Sequence, residues 1–116
     1  MILANEPPKP LPIREPLFQV GQIVEHRRYG YRGVIVALDG ECLADESWYQ
    51  NNQTQPDRKQ PWYHVLVDCS THTTYAAQEN LASAGDRSPV QHPLMDAFFL
   101  GYSDGRHLRN ERPFPP

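Results

Sequence analysis

Three arginines, two tyrosines and a histidine crowd into His26-Arg27-Arg28-Tyr29-Gly30-Tyr31-Arg32. Guanidinium forks match phosphate oxygens and guanine edges, so Arg27, Arg28 and Arg32 have the chemistry to contact duplex DNA. Tyr29 and Tyr31 would offer apolar contact to an adenine methyl group, and Gly30 and Gly33 would let a backbone come close. The same residues have a plainer use. Arginines keep an exposed sheet edge soluble, and tyrosines cap a core or meet a protein. Arg58 and Lys59 add positive charge from a separate polar stretch. Gln78 could pair with an adenine edge, or serve the backbone of a turn, as short polar side chains often do.

Other reactive residues fall short of a mechanism. Cys69 and His72 are spaced like metal ligands, with His26 and Cys42 as the available additions. A structural zinc needs four ligands, and the reading is no metal and no cofactor. His64 would be a pH-sensitive contact or a satisfied sheet histidine. Asp45 and Glu46 are adjacent, so on a helix they face different ways. No nucleophile stands in a recognisable setting, and no glycine loop is built to cradle phosphate. The expectation is a binding module, not an enzyme.

The elements that must hold these residues can be read from hydrophobic pattern. Gln22–Asp39 reads as strand, tight turn, strand, with β-branched residues on both sides and Gly30 at a position that favours a positive φ. Phe18 and Val20 alternate and should pack beneath the first strand, with Gly21 turning the chain into it. The run Asp45–Gln50 suggests one or two helical turns, and 51–60 a polar exposed loop. Pro61–Asp68, PWYHVLVD, is the clearest strand, with Tyr63, Val65 and Val67 on one face and Trp62, His64, Leu66 and Asp68 on the other. Cys69–His72 is a turn and Thr73–Ala77 the returning strand. Gln78–Leu81 suggests a helical or 3-10 turn before a last short strand near Ala82–Ser83. His92–Leu100 should form a helix burying Leu94, Ala97 and Phe98, ended by Gly101–Gly105. The tail from Arg106 should lie along the surface.

Composition bounds the rest. The chain has 116 residues, enough for one domain, with 39% hydrophobic residues, a net charge of -3 and a pI near 5.9. An acidic total is a poor starting point for a general nucleic-acid binder, whose affinity comes from neutralising phosphates. The charge is uneven, however. Between Phe18 and Val36 three arginines face one glutamate, a net +2, whereas Ala37–Pro61 carries a net -3. A homo-oligomer would repeat the basic patch. Twelve prolines gather at the two ends and in loops, and the leader before Leu17 reads as an extended proline-rich arm. Two cysteines make no disulfide framework, and neither a signal peptide nor an apolar membrane span is apparent. The default reading is cytoplasmic, with no membrane partner.

The motifs HRRYGYRGVIVALD, PWYHVLVD and YAAQENL, in that order, resemble the YccV-like, hemimethylated-DNA-binding domain. That domain is found in HspQ-like heat-shock proteins of the stress response, in certain F-box proteins and in a plastid Clp adaptor. The resemblance runs from about Phe18 to Leu81, and the tail HPLMDAFF…DGRHLRN is similar to the end of the F-box type. It implies an all-β fold, a small SH3-like barrel of about five antiparallel strands with a short C-terminal helix. Together with the proline pattern, the reading is a proline-rich arm over 1–17, a barrel over 18–84 and a packed extension over 85–116, the leader and longer tail being departures from the HspQ-like form. It implies no catalysis and two classes of partner. One is duplex DNA methylated on one strand, met by the hairpin at Arg27–Arg32. The other is protein, with the chain as adaptor or specificity factor for an ATP-dependent protease of Lon or Clp type.

Overall fold

A computed structural model describes residues 14–52 and 55–115. The proline-rich arm before Arg14, two positions of the polar loop and the final proline lie outside the described residues. The elements are β1 (Ile23–His26), β2 (Arg32–Asp39), α1 (Glu46–Gln50), β3 (Trp62–Val67), β4 (Thr73–Ala77), a 3-10 turn (Gln78–Asn80), β5 (Leu81–Ser83), α2 (Met95–Phe98), β6 (Phe99–Ser103) and β7 (Arg106–Arg109).

Five strands form one antiparallel sheet in the order β4-β3-β2-β1-β5, and β6 and β7 form a separate hairpin. The outermost strands, β4 and β5, are consecutive in sequence and joined only by Gln78–Asn80. In a flat sheet they would lie about 19 Å apart, four spacings of about 4.8 Å. A link of this length reaches about 14 Å even when fully extended. The sheet therefore rolls, and its two rims meet through the 3-10 turn. This is the expected small all-β architecture, with no ladder between β4 and β5 among the described residues.

Both faces of the sheet are covered. Ile23, Val34, Val36 and Leu66 pack against Val90, Phe98 and Phe99 from the later chain. Val24, Ile35, Val65, Tyr63 and Leu81 pack inside the roll with Phe18 and Ala76. This explains why Val34-Ile35-Val36 is an unbroken apolar run: all three are fully buried, on alternating faces. A bulge between Ile35 and Ala37 then places Val36 and Ala37 against the same cluster and returns Leu38 to the other. The Val36 carbonyl accepts a 2.8 Å hydrogen bond from Arg109 Nε, which ties the β6–β7 hairpin to the bulge.

Several expectations need correction. Val20 is on the surface, and Phe18 alone of that pair is buried, edge-on to the Tyr63 ring at 5.6 Å. The helix near His92–Leu100 shrinks to Met95–Phe98, and Leu94 is exposed. The tail is a hairpin because Asp104-Gly105 supplies two positive-φ residues, 53° and 77°, the geometry of a tight two-residue turn. The short helix α1 forms where expected, with the Asp45 carboxylate accepting from the Trp48 amide at 2.8 Å.

Candidate nucleic-acid interface

The β1–β2 turn is organised by His26. Its ring is buried, at 4% exposure, and its Nδ1 accepts from the amides of Arg28 at 3.1 Å and Tyr29 at 3.0 Å. The His26 amide donates to the Tyr31 carbonyl, and the Gly30 amide donates to the His26 carbonyl. Gly30 adopts φ +75°, a conformation costly for side chains with a Cβ. The Tyr29 ring stacks on His26 at 4.6 Å, and Tyr31 lies 5.0 Å from it on the other side of the turn. Burial, and then the charge of Arg28, push the His26 pKa below its ordinary 6.5. A neutral imidazole is also what two accepted N–H bonds demand. The result is a braced loop that exposes Arg27, Arg28 and Tyr29. Arg27 Nε donates to the Leu81 carbonyl at 3.1 Å, and the Arg28 guanidinium lies 5.9 Å from the Tyr29 ring centre.

Arg32 is employed elsewhere. Its guanidinium pairs with Asp68 at 2.8 Å and donates to the carbonyls of Ser88, Asp86 and Pro89. The side chains of Arg32 and Asp68 are only 18% and 17% exposed. Burial alone would raise the Asp68 pKa, but the Gln91 amide at 2.7 Å and Arg32 outweigh it and hold the carboxyl below its usual range. Arg32 therefore clamps the 86–89 loop to the sheet and is withdrawn from the surface that carries Arg27 and Arg28. Arg58 is similarly engaged. It donates to the Cys42 and Ala44 carbonyls, lies 4.8 Å over the Tyr49 ring and sits 3.6 Å from Glu46. Lys59 is well exposed, with Glu41 at 4.0 Å.

Gln78 faces inward. At 8% exposure, its Oε1 accepts from Tyr63 Oη at 2.6 Å and from the Leu17 amide at 2.8 Å. Its Nε2 donates to the Glu15 carbonyl at 3.2 Å, so the side chain pins the incoming chain rather than reading a base. Gly33 permits a close approach, but to β3: an added Cβ would lie 2.5 Å from the Leu66 carbonyl oxygen. Among the described residues no cluster of three or more histidines, cysteines or carboxylates could hold a metal. Nor is any described helix long and apolar enough to cross a membrane.

A profile described as "Hemimethylated DNA-binding protein YccV like" matches residues 16–106, from the strap before β1 to the start of β7. The chain belongs to the YccV-like family. This YccV-like domain is also similar to F-box only protein 21 of Homo sapiens and of Pongo abelii, each 31% identical over 100 residues. The Mus musculus F-box only protein 21 is 30% identical over the same length. Each alignment takes in 84% of this chain and 16% of the relative, so the YccV-like chain spans about a sixth of those proteins. The family match takes in α2 and β6 as well as the five-stranded sheet, in line with the resemblance carried by the tail motif from His92.

Sequence motifs brought Arg27, Arg28 and Tyr29 together correctly as one turn, but could not show that Arg32 and Gln78 serve the fold. Asp68, Asp86 and Gln91, which fix Arg32 and its loop, carried no sequence signal because they are distant in the chain.

Proposed function

We propose that this YccV-like domain binds duplex DNA methylated on one strand, through the braced turn that carries Arg27, Arg28 and Tyr29. The observation that carries the proposal is the His26 brace, in a member of a family described as hemimethylated-DNA-binding. The brace holds two guanidinium groups and an aromatic ring on one rigid loop, which spares the cost of ordering them on contact. Arg27 and Arg28 supply phosphate contacts or guanine readout, and the Tyr29 face supplies apolar contact to a methyl group. Lys59 adds long-range attraction. With Arg32 committed internally, two phosphate contacts are the working number.

Two contacts give a slope of about -1.8 in log affinity against log salt, or roughly twelvefold weaker binding between 50 and 200 mM. Fluorescence anisotropy with unmethylated, hemimethylated and fully methylated duplexes tests this. Hemimethylated duplex should bind tightest, and the double change Arg27→Ala/Arg28→Ala should flatten the salt slope. Equal binding of all three duplexes, unaffected by that change, would end the proposal.

A second reading, an adaptor that delivers substrates to a Lon- or Clp-type protease, is favoured by the internal use of Arg32 and Arg58. Their engagement leaves a thin basic surface on an acidic chain, and specific DNA interfaces are strongly positive. Addition of the domain should then change substrate turnover by such a protease. Unchanged turnover across both protease types rejects the adaptor role.

A further inference from the structure

At the other end of β2 lies a cavity of about 400 Å³, in the size range of ligand pockets. It is separate from the basic turn: Arg32 and Asp39 bracket the strand, roughly 20 Å apart at its ordinary rise. One wall is a run of aromatic rings, with His64 lying 4.4 Å from Tyr75 and 5.2 Å from Phe114. Leu43, 70% exposed, and Ala44 also line the cavity. Asp39 also lines the cavity and is its anionic group. Its Oδ2 accepts from Tyr75 Oη at 2.6 Å and faces His64 Nε2 at 3.3 Å. Among the described residues, its Oδ1 makes no hydrogen bond. The phenol is itself held in place by accepting from the Leu43 amide at 3.1 Å. Burial first, and then the hydrogen bond to Asp39, raise the Tyr75 pKa well above the ordinary phenol range, so Tyr75 stays a donor.

Of the neighbouring carboxylates, Glu46 lies 3.6 Å from Arg58 and Glu41 4.0 Å from Lys59, so Asp39 is the group that sets the charge at the cavity wall. A carboxylate with an unused oxygen at an apolar, aromatic wall suits a cation with a short hydrocarbon stem. We propose that this cavity takes an alkylammonium group, as carried by a lysine side chain or a free amine. The ammonium meets Asp39 Oδ1, and the methylenes lie between Leu43 and the rings of Tyr75, His64 and Phe114. The proposal does not depend on the nucleic-acid reading, since no residue of the turn lines this cavity.

The test is an amide-resolved NMR titration of the full chain at about pH 8, where alkylammonium ions remain charged. The probes are n-butylammonium, N-acetyl-lysine methylamide and the neutral norleucine counterpart of the latter. Saturable shifts confined to Ala37, Asp39, Leu43, Ala44, His64 and Tyr75 are expected from the two cations. Asp39→Asn, which keeps an acceptor for Tyr75, should weaken both by about tenfold, the loss of one charge-assisted contact. Should that variant fail to fold, Leu43→Lys places a competing ammonium at this exposed lining position and should weaken binding likewise. Tighter binding of the lysine amide than of butylammonium identifies a side chain on a polypeptide as the source, and the reverse identifies a free amine. Norleucine amide binding as well as the lysine amide, shifts centred elsewhere, or indifference to both substitutions would overturn the proposal.

Discussion

The division of labour between Arg32 and its neighbours gives the sharpest prediction. Arg32→Ala removes a 2.8 Å ion pair at a position where both side chains are more than four-fifths covered, together with donors to three loop carbonyls. Asp68 keeps its bond from the Gln91 amide but loses its counter-charge. Hydrogen bonds to charged groups contribute about 1.5–3 kcal/mol, and stripping one partner from a covered pair costs about 3–5. Because this pair retains some contact with water, a loss of about 2–4 kcal/mol is expected. For a domain of this size each kcal/mol lowers Tm by roughly 4 °C, so the midpoint should fall by about 8–16 °C. Arg27→Ala and Arg28→Ala, at exposed positions, should stay within about 0.5 kcal/mol of the parent. Urea and thermal denaturation followed by circular dichroism measure all three. An Arg32→Ala protein as stable as the parent would refute the clamp. So would an Arg27→Ala or Arg28→Ala protein destabilised to the same degree.

Other outcomes follow from the same geometry. His26 and His107 are buried, and each accepts backbone N–H bonds through an unprotonated nitrogen, with His107 Nε2 bound by the Val90 amide at 2.9 Å. Burial leads in lowering both pKa values below 6.5, so below that pH the unfolded chain binds protons that the folded one refuses. Stability should therefore hold above pH 6.5 and fall beneath it, by up to about 1.4 kcal/mol per histidine between pH 7.5 and 5.5. His26→Asn, which keeps an acceptor, should remove its share of that slope in urea titrations. Gly33→Ala forces a methyl against the β3 backbone and should cost about 3 kcal/mol by denaturation, whereas Ala at exposed Gly40 should be near neutral. Gln78→Ala should speed hydrogen exchange at the Leu17 amide, and an unchanged rate would remove Gln78 as the anchor of the incoming chain.

The five-stranded sheet was legible because its strands are short runs rich in β-branched and aromatic residues, and because Gly30 and the polar Cys69–His72 segment mark turns. The hairpin β6–β7 was missed, although Asp104-Gly105 is a turn signal. The largely apolar stretch Leu94–Leu100 before it reads as helix, and only the pairing of Phe99 with Arg109 shows that Phe99 belongs to a strand. The internal engagement of Arg32 is illegible for a related reason. Its partners lie 36 and 54 or more positions away, and no local pattern reports such distances. Asp39, His64 and Tyr75 meet only because β2, β3 and β4 are neighbours in one register, so their cavity had no sequence signature.

The three-residue link from β4 to β5 has a mechanical consequence. With its first and last rims tied to each other, the curled sheet cannot peel open from one side while the remainder survives. Amides that bond β4 to β3 and β5 to β1 should then exchange with solvent together, and melting should be a single event.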